Sequence, residues 1–210
     1  MAVAKPYHRE NLRETLLEAA VLLIGEVGPR AFTLREVARR ASVSHNAPYR
    51  HFASKDDLLI AVAAEGFERL TQAMRKWMAR GKEPLHRLQL CGCGYVDFAL
   101  KWPQHFLVMF DLPKRDPPDL AKTEVGRGAF EVLMGSILAA QNSGDLPNGD
   151  PLRMAWTAWS LVHGIAKLAV SGNLPLSDAA TIEFVRQATA VLANNMGTNA
   201  RVGARMIAAK

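Results

Sequence analysis

Residues 33–58 read TLREVARRASVSHNAPYRHFASKDDL. Thr33 and Glu36 stand at capping-box spacing, the hydroxyl placed to accept from the Glu36 N–H while the carboxylate reaches back to the Thr33 N–H. Leu34, Val37, Ala38 and Ala41 then recur at three and four, the inward face of a helix of barely two turns. After the short turn Ala41-Ser42-Val43, Ser44 is the N-cap expected for a second short helix running to about Phe52. Pro48 falls inside that helix, where its missing N–H removes the first intrahelical bond, so the helix is expected to start irregularly. Ser54-Lys55-Asp56-Asp57 caps a longer helix that carries Leu58, Leu59, Val62, Phe67, Leu70 and Met74 on its apolar side and ends near Arg80.

Working outward, the apolar residues keep a helical period and strand alternation is nearly absent. Leu12, Leu16, Ala20, Leu23 and Val27 form the stripe of a first helix that stops between Gly25 and Gly28. Beyond a break at 81–84, helices are expected over 84–102, 103–110, 119–141, 151–171 and 177–195, with a Pro-rich loop over 111–118. The fold class is therefore all-α, about nine helices: a three-helix helix-turn-helix head over residues 1–55, a helical-bundle body over 56–198 and a loosely held Gly- and Ala-rich tail over 199–210.

The chain has 210 residues, 49% hydrophobic and 22% charged, with a net charge of +6. That is enough apolar material for a real core, and the basic balance favours a polyanionic partner. The first 55 residues hold nine Lys or Arg against five acids, so the excess is concentrated in the head. No signal-peptide h-region and no membrane-length apolar run are evident, which gives the expectation of a cytoplasmic protein without a membrane partner. Cys91 and Cys93 are too few for a disulfide framework or a four-ligand zinc site, and two residues apart on a helix they point about 200° from each other. No metal and no cofactor is expected.

Two short helices joined by a tight turn are the arrangement that presents a helix start to the major groove of DNA. At the start of the second helix His45, Asn46 and Ala47 can reach base edges, while Tyr49, Arg50 and His51 are spaced for bases or phosphates, and Ser44 at the helix start is counted with them among the DNA-binding residues expected. The stretch 33–58, with its Tyr-x-His-Phe-x-x-Lys-x-x-Leu ending, resembles the signature of the TetR family of regulators. The resemblance implies a repressor-like homodimer on double-stranded operator DNA, with Thr33, Tyr49, His51 and Lys55 on phosphates and Arg35, His45, Asn46, Ala47 and Arg50 nearest the bases. In the turn, Ser42 stands where the family usually has Gly, so it must avoid or tolerate a left-handed conformation.

In the body, Trp159-Ser-Leu-Val-His163-Gly164 resembles the Trp-x-x-x-His-Gly element of one class of TetR C-terminal domains, and 102–110 fits the same class. On a helical wheel Trp156, Trp159, His163 and Val170 share one face, and Met154, Ala158, Leu161, Ile165 and Leu168 the opposite one. A helix apolar on both sides is buried on both, which points to a pocket on the Trp side and a subunit partner on the other, with the eighth and ninth helices forming a four-helix dimer bundle. Gly164 is expected to allow close helix approach. The pocket residues expected are Tyr95, Phe98, Trp102, Phe106, Met109, Phe110, Phe130, Met134, Trp159 and His163, a set suited to a small, largely apolar effector.

The rival readings are an all-helical enzyme and an architectural DNA-binding protein that needs no ligand. Against the first, the sequence has no Gly-rich phosphate loop, no His-x-x-x-His with an acid partner and no paired carboxylates in the apolar body. Against the second, a mere dimeriser has no need of so many large aromatic side chains. The function expected is that of a ligand-responsive transcriptional regulator, a repressor by family default, and not an enzyme.

Overall fold

The computed structural model describes residues 12–111 and 124–207, with side chains placed for 12–110 and 126–194. Among these residues there are eight α-helices, one 3₁₀ turn and no strand: α1 (Leu12–Val27), α2 (Leu34–Arg40), the 3₁₀ turn (Pro48–Arg50), α3 (Lys55–Met78), α4 (Pro84–Lys101), α5 (Pro103–Asp111), α6 (Glu124–Asn142), α7 (Pro151–Val170) and α8 (Asp178–Ile207). The chain divides into two compact units. The first takes in everything up to Glu65 together with the α5 segment from Gln104, and the second takes in Gly66–Pro103 and the chain after α5.

In the first unit α1 buries Leu16, Leu17, Ala20, Leu23 and Ile24, whereas Val27, counted in that stripe, is half exposed in the last turn. Gly28 ends the helix with φ +81° and its N–H on the Ile24 carbonyl at 3.0 Å, a conformation that costs an L side chain about 1–2 kcal/mol. The cap read at Thr33 is present in full: Thr33 N–H donates to Glu36 Oε2 at 2.7 Å and Glu36 N–H donates to Thr33 Oγ1 at 3.3 Å. The start of α3 repeats the device with Asp57 in place of glutamate, Ser54 N–H on Oδ2 at 3.0 Å and Asp57 N–H on Ser54 Oγ at 3.1 Å. Leu34, Val37, Phe52, Leu58 and Val62 close the core of this unit, and α5 contributes the buried Phe106 to it.

In the second unit α4 is the central element and packs on α6, α7 and α8. Its buried side holds Leu90, Cys91, Cys93, Tyr95, Val96, Phe98 and Ala99. Gly94 is the point at which α4 meets α3: a Cβ there would lie 2.7 Å from Met74 Cα and 2.8 Å from the Ala73 carbonyl oxygen. Beside it, Trp77 Nε1 donates to Asp97 at 3.0 Å, and Lys101 binds the same carboxylate at 2.8 Å. Asp150 caps α7 by accepting from Leu152 N–H, with Pro151 at the first position, where no N–H is needed.

Three expectations change. The segment 44–52 is not an α-helix but a turn followed by the 3₁₀ turn, for a reason given below. The last helix, expected to end near 195, runs on as α8 to Ile207; alanine is the best helix former, and Gly197 and Gly203 lower propensity by only about 1 kcal/mol each. Gly164 does not admit a neighbouring helix among the described residues, since a Cβ there would meet none of them within 4 Å. The Pro-rich loop expected over 111–118 and the helix start expected at 119 lie outside the described residues beyond Asp111 and before Glu124.

Candidate nucleic-acid interface and cavity

The turn after α2 is built by backbone bonds that cross each other. Ser42 N–H donates to the Arg39 carbonyl at 3.2 Å and Val43 N–H to the Ala38 carbonyl at 3.0 Å, the pair of bonds that closes a Schellman turn. Such a turn needs a left-handed residue at its corner, and Ser42 takes it with φ +55°. From there Ala47 N–H bonds back three residues to the Ser44 carbonyl at 2.9 Å. Pro48 has no N–H to extend that bond into an α-turn, so the chain tightens to three residues per turn, and His51 and Phe52 N–H both reach the Pro48 carbonyl at 2.9 Å. Ser44, His45, Asn46, Tyr49, Arg50 and His51 are left exposed, with Thr33 and Arg35 exposed at the start of α2.

Ala47, expected near the bases, is 8% exposed and falls with Pro48 and Phe52 on the buried side of the tightened turn. That removes it from the exposed set. Thr33 and Lys55 are engaged within the fold. The Thr33 hydroxyl donates to Glu36 Oε2 at 2.9 Å, and this bond, with the one from the Thr33 N–H, holds the Glu36 carboxyl below its ordinary value. Lys55 Nζ donates to the Arg30 carbonyl at 2.8 Å and stands 4.5 Å from the centre of the Phe32 ring. Partial burial lowers its pKa, against the opposing pull of Asp56 and Glu36. An ammonium has three N–H groups, so two of them remain for a phosphate. Arg40 is paired with Glu26 of α1.

The second unit holds a cavity of about 50 Å³. Its walls come from Met74 of α3, the Leu85–Tyr95 stretch of α4, Leu133 and Ile137 of α6, Leu146, Met154–Val162 of α7 and Thr189–Ala193 of α8. Tyr95 and Trp159, of the ten residues expected, line it. Trp159 Nε1 donates to the Tyr95 hydroxyl at 3.2 Å, and that hydroxyl lies 2.8 Å from His163 Nδ1, so His163 stands behind the wall rather than in it. Burial pushes the Tyr95 phenol well above its usual range.

The other seven are placed elsewhere by packing. Phe98 is wholly buried, and its ring lies 5.8 Å from that of Trp102, which in turn carries Arg69 at 5.5 Å. Phe130 pairs with Trp156 at 5.8 Å, and Met134 packs on the Ile137–Leu146 cluster. Phe106, Met109 and Phe110 sit on α5, which belongs to the first unit. The cavity's aliphatic walls were missed because Leu, Met and Ala at helical spacing carry no sign in the sequence of which face meets a void. A usable signal was Gly92: a Cβ there would press on Val162 Cγ1 at 3.1 Å and Thr189 Cγ2 at 3.2 Å, marking where α4, α7 and α8 converge.

The helical wheel of α7 also reads differently. Ala155, Val162, Ile165 and Ala166 are its buried side, while Leu152, Trp156 and Leu168 are exposed, as are Phe184 and Val191 of α8. Cys91 and Cys93 are buried free thiols, raised by burial to about 12 and about 11. Among the described residues no helix is long and apolar enough to cross a membrane.

The comparisons with known proteins agree with this architecture. Residues 16–62 match the model of bacterial regulatory proteins of the tetR family, and residues 88–192, half of the chain, match the tetracyclin repressor-like C-terminal domain. A solved structure of a protein of unknown function from Rhodococcus sp. RHA1 is 31% identical, covers 92% of this chain and all of its own, and superposes with a TM-score of 0.79. The transcriptional regulator FadR from Bacillus subtilis, solved in complex with stearoyl-CoA, shares the fold at 18% identity with a TM-score of 0.72, covering 84% of this chain and 96% of its own. The transcriptional repressor Rv3405c of Mycobacterium tuberculosis is 38% identical over 69 residues, 33% of this chain, and the chain spans just over a third, 37%, of that curated relative's length. With both of its parts matched, the chain belongs to the TetR family of bacterial regulatory proteins, a family of regulators and not of enzymes.

Proposed function

We propose that this regulator binds operator DNA as a homodimer in the cytoplasm, represses there, and is released when a small, largely apolar effector enters the cavity. The observation that carries the reading is the exposed set His45, Asn46, Tyr49, Arg50 and His51, gathered on one tight turn whose backbone is fixed at both ends by hydrogen bonds. A tight turn that leaves several donors exposed suits groove recognition, which is sensitive to small displacements. Residues 1–55 carry the DNA contacts and 56–198 the sensing and dimerisation. Tyr49, His51 and Lys55 are assigned to phosphates, with Thr33 contributing through the start of α2; Arg35, His45, Asn46 and Arg50 are assigned to bases.

Dimerisation is assigned to α7 and α8, on which Leu152, Trp156, Leu168, Phe184 and Val191 are largely exposed among the described residues. The cavity supports an effector, as does the acyl-CoA in the FadR complex, and the name of the mycobacterial relative supports repression. A coupling of about 1–3 kcal/mol between cavity and DNA is sufficient for a several-fold to hundredfold change in operator affinity.

The test is fluorescence anisotropy on the DNA upstream of the protein's own gene. Affinity should fall steeply with salt. Arg50→Ala should relax the preference at particular base pairs, whereas Lys55→Ala should weaken all sequences alike. Equal losses across sequences for both variants reject the division of roles, and no binding at low salt by the folded dimer rejects the reading.

A further inference from the structure

The cavity of the second unit has an unusual chemical bias. Among the described residues, no lysine, arginine, histidine, aspartate or glutamate lines it. Its two ionisable members, Cys91 and Tyr95, are both driven toward their neutral forms by burial, the thiol to about 12. Apart from these, the polar side chains among the lining residues are Gln89, Thr189 and Trp159, and the Trp159 indole N–H is already given to the Tyr95 hydroxyl. The Thr189 hydroxyl already donates to the Val185 and Arg186 carbonyls at 2.9 and 3.1 Å, so it offers a guest lone pairs only. The Gln89 amide brings both donors and an acceptor.

A carboxylate or an ammonium drawn into such a wall loses its hydration and finds no countercharge. A hydroxyl, ketone or amide loses far less and recovers it from the Gln89 amide. On the reading that this cavity is the effector site, we propose that the effector is uncharged: a compact hydrocarbon skeleton with one neutral hydrogen-bonding group, received by Gln89.

The walls also say how the guest is accommodated. About 50 Å³ is well below the roughly 300–1,000 Å³ of a ligand pocket, so a guest must displace side chains to fit. Met74 and Met154, unbranched and with three rotatable bonds, are the parts of the wall that yield. The Gly92 side does not, since Val162 and Thr189 already close on it.

The experiment uses the full-length dimer and matched sets of rings and chains of increasing size, each as the alcohol, ketone, carboxylate and amine. Binding is read by calorimetry and DNA release by anisotropy. The alcohol and ketone of the best skeleton should bind at least about tenfold more tightly than its carboxylate and amine at neutral pH. Gln89→Glu should turn the preference toward the amine, and Gln89→Lys toward the carboxylate, each by at least about tenfold. A carboxylate or amine that binds the unaltered protein as well as the alcohol, and releases DNA, overturns the charge assignment while leaving the effector site standing. If no member of any set binds although the protein holds its DNA, the cavity is not the effector site and both readings fall. Unchanged selectivity in both folded Gln89 variants overturns the role given to that residue.

Discussion

Ser42 sits where an L side chain is least at ease. Its φ of +55° is imposed by the two crossing hydrogen bonds that end α2, and a serine there carries strain of about 1–2 kcal/mol that a glycine avoids. The greater freedom of glycine in the unfolded chain offsets part of that gain. Ser42→Gly is therefore expected to stabilise the protein by up to about 1 kcal/mol in urea titrations; a clear loss of stability would show that the serine is not strained. Glu36 gives a prediction in pH. Its folded carboxyl is depressed by the bonds from Thr33, so its contribution is present above the ordinary glutamate value of 4.5 and is lost as pH falls through the lower folded value. Glu36→Gln should remove part of the acid-side loss of stability, and the pH dependence of the urea midpoint in both proteins checks it.

At the scale of elements, the two glycines Gly94 and Gly164 both lie inside helices and have opposite surroundings. A methyl at 94 collides with the backbone of α3, so Gly94→Ala should cost about 1–3 kcal/mol, measured by denaturant melts. A methyl at 164 meets none of the described residues within 4 Å, so Gly164→Ala should leave the isolated chain as stable or raise it by up to about 1 kcal/mol through helix propensity. Any weakening of the dimer by that change would place α7 in the seam. These elements also mark what the sequence made legible. Helix starts were readable because a cap is a local contract between residues three apart, as at Thr33 with Glu36 and Ser54 with Asp57. The short helix after Ser44 was not, because only the completed backbone shows that Pro48 leaves a 3₁₀ turn in place of an α-helix and takes Ala47 inside. The aromatic residues of α5 suit an apolar pocket by chemistry, but residue type and periodicity do not tell which unit a helix joins.

For the molecule as a whole, the exposed apolar residues on α7 and α8 matter most. Val191→Glu or Trp156→Glu should yield monomers in sedimentation and abolish operator binding, while the far-ultraviolet helical signal and the first unit's core are preserved. A variant that remains dimeric rules out this surface as the seam. The same protein has a useful chemical silence. Its only two cysteines are buried, and both thiols are held far from the thiolate that reacts with maleimides and oxidants. A single new cysteine on the exposed turn, for example Ser44→Cys, would take a dye without any native cysteine being removed. Distances between two such dyes in a dimer could then be followed as DNA and effector come and go.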